Sequence, residues 1–218
     1  MFNFKSLPYL IVFYSYSFCY AGSYDEFFKA VNLDDAVTVA ALLNRGFDVN
    51  TLNRAGEHGL ILALRESSIK VVTVLINWPK VNIEARTAQD ESPLMLAAFI
   101  GLTGICRQLI AKDADVNKSG WTPLHYAATG GHLDVINMLL ENHAYIDADS
   151  PNGTTPLMMA ARYGTTAAVK LLLEAGADPA LKNDQGLSAI DFAHGVNHSD
   201  SAELIAAFIR ARQPMGNW

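Results

Sequence analysis

Apolar residues come in paired bursts along this chain. Val135, Ile136, Met138, Leu139 and Leu140 recur at helical spacing, with Asp134, Asn137 and Glu141 on the other side. That pattern predicts an amphipathic helix burying one stripe. A shorter burst precedes it, Leu124 followed by the small pair Ala127 and Ala128, and Gly130 with Gly131 separates the two. Glycine at that point predicts a helix end, because a left-handed residue is easiest without a Cβ. The stretch therefore reads as two short helices joined by a tight turn. Tyr145 to Gly153, with Asp147, Asp149, Pro151 and Asn152, reads as a turn-built finger leading to the next pair.

The unit repeats. Ala30, Ala63, Ala97, Ala127, Ala160 and Ala193 fall at steps of 33, 34, 30, 33 and 33 residues, each three positions after Phe27, Leu60, Leu94, Leu124, Leu157 or Ile190. Gly120 to Ala148 and Gly153 to Ala180 are nearly duplicated text. Thr122-Pro123-Leu124-His125 and Thr155-Pro156-Leu157 open these two units. Thr122 and Thr155 suit helix caps, and proline suits the first turn, where no N–H bond is needed. This motif at a period of 33 resembles the ankyrin repeat. The resemblance covers roughly residues 24 to 212 and implies an all-α solenoid of about six helix-turn-helix units with short β-turn fingers. Units are expected at about 25–57, 58–91, 92–121, 122–154, 155–187 and 188–213, within a domain of 22–213 and before a tail of 214–218. Ser92-Pro93-Leu94 keeps the cap chemistry, whereas His58-Gly59-Leu60 and Ser188-Ala189-Ile190 lack the proline and should start less firmly. The first and last units read as end caps.

Residues 1–21 carry Lys5, an apolar run from Leu7 to Phe18, and small residues at Cys19 and Ala21. That layout predicts a secretory signal peptide cleaved after Ala21, with an uncleaved membrane anchor as the rival. Lys and Arg number 16 against 22 Asp and Glu, a formal net charge of −6, with no basic cluster. Nucleic acid and anionic lipid are thus poor partners. With Cys19 removed, Cys106 is left without a disulfide partner, and its place in a second helix reads as a buried small hydrophobe.

No nucleophile with its base, metal cluster or phosphate loop is legible, so no enzyme activity, metal or cofactor is expected. His125 and His132 stand at repeat positions and read as structural. His194 and His198 have ligand spacing, but Gly195 and Asn197 place them in a turn without a third ligand.

Binding is the function that the ankyrin resemblance implies, through a concave face of fingers and first-helix ends. The variable positions are Glu91, Trp121 and Thr154 at the fingers, Arg86 on a neighbouring finger, and Arg65, Glu66, Phe99, Ile100, Thr129, Arg162 and Tyr163 along the helices. Phe99, Ile100, Trp121, Arg162 and Tyr163 stand out, since aromatic and arginine residues anchor interfaces. They could equally pack beneath fingers or cover repeat junctions. Eleven residues separate Ile110 from Thr122, against fourteen between Leu140 and Thr155. This shortened finger, Lys118-Ser119-Gly120, should expose its neighbours, Arg86 to Gln89 and Asp149 to Asn152, and make a docking notch with Trp121 and Tyr163. Trp78-Pro79 reads as a helix stop. The expectation is a monomeric, non-catalytic scaffold binding a protein of unknown identity in the bacterial periplasm, without nucleic acid or membrane contact once the signal is removed. A secreted effector engaging host proteins, and a hydrolase or metal enzyme with scattered sites, are the alternatives.

Overall fold

A computed structural model describes residues 22–212; the expected signal segment and C-terminal tail lie outside the described residues. Two compact units divide between Ala85 and Arg86. The first holds helix α1 (residues 22–32), α2 (Ala36–Asn44), α3 (Gly59–Arg65) and α4 (Ile69–Asn77). The second holds α5 (Pro93–Ile100), α6 (Thr103–Ile110), α7 (Pro123–Gly130), α8 (Leu133–Glu141), α9 (Pro156–Tyr163), α10 (Thr166–Glu174), α11 (Ala189–His194) and α12 (Ser199–Arg212). There α5, α7, α9 and α11 form one row, each packed on the next, and α6, α8, α10 and α12 form the other. The fold is the helical-repeat solenoid that the sequence predicts.

Small residues set the spacing within the row of first helices. Ala97, Ala127, Ala160 and Ala193 have no exposed surface, and neither do Leu94, Leu124 and Leu157. Burying each of those leucines stabilises the stack by about 1.5–3 kcal/mol. Gly131 ends α7 in the left-handed region at φ 70°, whereas Gly130 is required for a different reason. A Cβ on Gly130 would lie 2.6 Å from the Phe99 carbonyl oxygen of the adjoining repeat. Close approach, not turn geometry, demands that glycine.

Caps follow the expected positions, and the two units lacking proline find other acceptors. Ser92, Thr122 and Thr155 each accept the N–H of the residue three further on, Met95, His125 or Met158. Each such cap contributes about 1 kcal/mol. At α3 the His58 ring nitrogen Nδ1 accepts the Leu60 N–H at 3.1 Å. At α11 the arrangement is reversed: Asp191 Oδ2 accepts both the Ser188 N–H at 2.8 Å and its hydroxyl at 2.6 Å. These bonds hold the Asp191 carboxyl below its ordinary range.

Single side chains clip fingers to their successors within each unit. In the first unit, Asn50 donates to the Lys80 carbonyl at 2.9 Å and accepts the Asn82 N–H at 2.8 Å. In the second, Asn117 donates to the His143 carbonyl and accepts the Tyr145 N–H, both at 2.8 Å. Asp147 occupies the same place one repeat later and only accepts, from the Asp178 N–H at 3.1 Å. A carboxylate has no donor to offer the facing carbonyl.

Candidate binding site

The second unit presents an apolar cleft on its row of first helices. Phe99 comes from α5, His125, Tyr126 and Thr129 from α7, Met159 from α9, and Trp121 from the loop before α7; together they enclose about 230 Å³. Repeat geometry explains the alignment. Tyr126 and Met159 stand immediately before Ala127 and Ala160, while Phe99 and Thr129 follow Ala97 and Ala127 by two residues. These positions are one helical turn apart and share a face. The Phe99 and Tyr126 rings meet edge to face at 6.2 Å, as do Trp121 and His125 at 5.2 Å.

His125, Tyr126 and Thr129 in this wall have their polar groups engaged. His125 Nδ1 accepts the Thr122 N–H at 3.1 Å, so Nε2 carries the proton and donates to the Thr154 carbonyl at 2.8 Å. Burial, only partly offset by the hydrogen bond to Thr154 and the charge of Asp149, pushes the His125 pKa down to about 4. Thr129 donates to the His125 carbonyl at 2.7 Å. Tyr126 donates its hydroxyl to Glu91 at 3.1 Å, and burial followed by the Glu91 charge raises its pKa. What the cleft offers a ligand is carbon surface.

The sequence-predicted residues scatter around this cleft. Phe99, 48% exposed, and half-buried Trp121 line it. Ile100 is exposed nearby in sequence and does not line it. Glu91 reaches it through Tyr126. Arg162 and Tyr163 form a separate feature: the Arg162 guanidinium lies 5.2 Å from the Tyr163 ring centre and 5.9 Å from that of Phe192. In the first unit, Arg65 pairs with Glu57, and Glu66 is exposed. Thr154 is a correction. It is 2% exposed, tucked into its finger with its N–H donated to Ser150 Oγ, so its side chain is not presented to a partner.

The shortened finger does not open the notch that the sequence predicts. Lys118 reaches across to pair with Asp90, which Arg86 also approaches at 3.8 Å. On the other side, a Cβ on Gly120 would lie 3.5 Å from Pro151. The neighbours have closed over the missing residues, and the concavity lies beneath, between the first helices.

Tyr126 and Met159 escaped the sequence reading because they sit inside the T-P-L-x-x-A motif and read as core. Their signal is the position itself: the residue before the conserved-spacing alanine faces the helix row outward in consecutive repeats. A larger, polar hollow of about 390 Å³ lies between Gly164–Thr166 and Asn197–Ser201. Its hydroxyls serve the structure, since Thr165 caps α10 and Thr166 meets Ser201 at 3.1 Å. The histidines also serve it: His132 Nε2 donates to the Phe99 carbonyl at 2.9 Å, and His198 Nδ1 to that of Ala161 at 3.2 Å. Cys106 is fully buried, and that burial pushes its thiol up to about 12. Among the described residues, no group of three or more His, Cys, Asp or Glu is placed to hold a metal, and no helix is long and apolar enough to cross a membrane.

Stacked helical hairpins with a side-chain-sized cleft define a repeat scaffold for binding. Two ankyrin-repeat family models match, over residues 79–150 and 143–193, together more than half the chain. The protein belongs to the ankyrin-repeat family. A nuclear factor NF-kappa-B subunit from Gallus gallus is 32% identical over 196 residues, 87% of this chain and 20% of the chicken protein. Ankyrin repeat and SAM domain-containing protein 6 from Mus musculus is 44% identical over 134 residues, 58% of this chain and 15% of the mouse protein. This chain thus spans a fifth or less of these relatives. A chain in the solved complex of Bd0816 predatory endopeptidase from Bdellovibrio bacteriovorus with immunity protein Bd3460 matches with a TM-score of 0.72 and 27% identity, covering 84% of this chain and 97% of that one. Ankyrin repeats mediate protein–protein interaction, and proteins built from them are generally non-catalytic scaffolds.

Proposed function

We propose that this chain is a non-catalytic, monomeric scaffold that binds and restrains an endopeptidase outside the cytoplasm, in the manner of an immunity protein. The match to a chain of the endopeptidase–immunity complex over nearly the whole length of both carries this reading. The signal-peptide pattern of residues 1–21 supports export to the periplasm, where a peptidase acting on cell material would need restraint before use. The cleft on α5, α7 and α9 supplies the apolar anchor point such an interface requires.

Two measurements test the reading. Mixed with purified Bd0816-type endopeptidase, the chain should co-elute on size exclusion as a one-to-one complex and suppress hydrolysis of a peptide substrate. Fractionation of the source cells should recover it with periplasmic markers. Separate elution with undiminished hydrolysis would reject the partner, and recovery in culture medium would favour an effector directed at other cells.

A further inference from the structure

The fingers beside the cleft carry negative charge at a structural cost. Asp147 sits where Asn50 and Asn117 make two clip bonds, and it forgoes the donated one. Burial raises the Asp147 pKa, and repulsion from Asp178 and Asp149 adds to that rise. Asp184 follows on the next finger, its N–H on the Asn152 carbonyl at 3.1 Å. Among the described residues no ion pair involves these four carboxylates. The finger of Asp147 and Asp149 borders the cleft: the carbonyl of Thr154, at its end, receives the His125 hydrogen bond, and the charge of Asp149 acts on His125. On the opposite rim, Asp90 is already paired with Lys118.

Cleft size and chemistry narrow the occupant. About 230 Å³ is below the roughly 300–1,000 Å³ of small-molecule sites, and the polar groups of His125, Tyr126 and Thr129 in the wall are bonded internally. A sugar or polar metabolite would lose hydrogen bonds on entering, whereas one large apolar side chain would not.

We propose that the cleft takes a single large apolar side chain of the partner polypeptide, and that Lys or Arg residues flanking it lie over Asp147, Asp149, Asp178 and Asp184. This deepens the scaffold reading above by naming the partner's docking segment. An asparagine at position 147 would restore the clip and relieve the crowding, so the aspartate marks a place where charge is kept against stability.

Synthetic heptapeptides provide the probe: one phenylalanine flanked by arginines, the same peptide flanked by glutamates, and the arginine peptide with alanine at its centre. The full chain is followed by NMR at the Trp121 indole N–H and the Met159 methyl. The arginine–phenylalanine peptide should shift both signals saturably, with either control binding roughly tenfold more weakly and added salt weakening it further. Asp147→Asn should raise the thermal midpoint while reducing peptide affinity roughly threefold, a pairing that a purely structural residue would not give. Equal binding of the glutamate peptide, or no saturable shift at Trp121 and Met159 by about 1 mM, would overturn the proposal. Endopeptidase capture without this peptide preference removes the occupant and keeps the scaffold reading; the peptide preference without capture does the reverse.

Discussion

Replacing Gly164 by alanine should cost about 3 kcal/mol of stability and lower the midpoint of thermal unfolding by roughly 6–12 °C. The backbone there has φ −82°, open to any residue, so dihedral strain plays no part. The penalty comes from space. A Cβ on Gly164 would press into the Ala128 carbonyl oxygen of the preceding repeat and lie 3.0 Å from Ala160 Cα. Both obstacles are backbone and cannot swing aside, so α9 would have to move away from α7, and every first helix beyond it would follow. Each repeat is held mainly by its neighbours, which makes one widened junction a breach in the stack. Gly104→Ala is the control, since it is exposed in α6 with nothing within 4 Å of the added Cβ. A helical glycine so placed should yield a gain of roughly 0.5–1 kcal/mol. Differential scanning calorimetry of both variants checks the pair; a Gly164→Ala protein as stable as the parent would refute the close-packing explanation.

Acidification should weaken the fold across a defined window. As pH falls through about 6.5, an unfolded chain protonates residue 125, while the folded protein keeps that imidazole neutral until about 4. Between those values the unfolded state binds more protons, so stability declines as pH decreases, by about 3 kcal/mol in total at the lower end. Above pH 7 both states are neutral there and the dependence vanishes. His58, also depressed by burial, acts with the same sign. The chain itself supplies the appropriate variant. Met95 and Met158 stand at the equivalent places in α5 and α9, their sulfurs accepting the cap N–H of Ser92 at 3.3 Å and Thr155 at 3.4 Å. His125→Met should therefore fold and lose most of the slope between pH 6.5 and 4. Urea titrations of parent and variant at several pH values decide it; identical slopes would mean that His125 is not the responsible group.

Much of this architecture was legible in the sequence because its determinants are local. Cap, proline, leucine and alanine fall within six residues of one another, and the 33-residue period repeats the statement often enough to be read. The cleft was only partly legible, for a reason visible in Tyr126 and Met159. They occupy motif positions that look like core filling, and only stacking the repeats side by side shows that Tyr126 and Met159, each just before its alanine, share one face with Phe99. The finger residues failed differently. Counting letters identified a shortened finger, yet the reach of Lys118 to Asp90 and the seating of Gly120 against Pro151 closed it, and these contacts join residues 28 to 31 positions apart. Thr154 was misplaced for a related reason: a variable letter between glycine and cap can be held inward by the finger's own hydrogen bonds. Asp147 stands where two other repeats have Asn50 and Asn117 and the remaining ones have Glu84 and Ala180, so the letters alone carried no signal, and its meaning emerged once the clip bonds of the two asparagines were seen.

The central claim is that the first-helix face of the second unit, with the cleft of Phe99, Trp121, Tyr126 and Met159 at its centre, is where a protein partner is held. Isothermal titration of the endopeptidase into the Phe99→Ala, Trp121→Ala double variant tests it most directly, with the thermal midpoint recorded to confirm folding. A loss of affinity of roughly a hundredfold or more, as for two anchoring aromatics, is the predicted result. Binding as tight as the parent's by a folded double variant would contradict it.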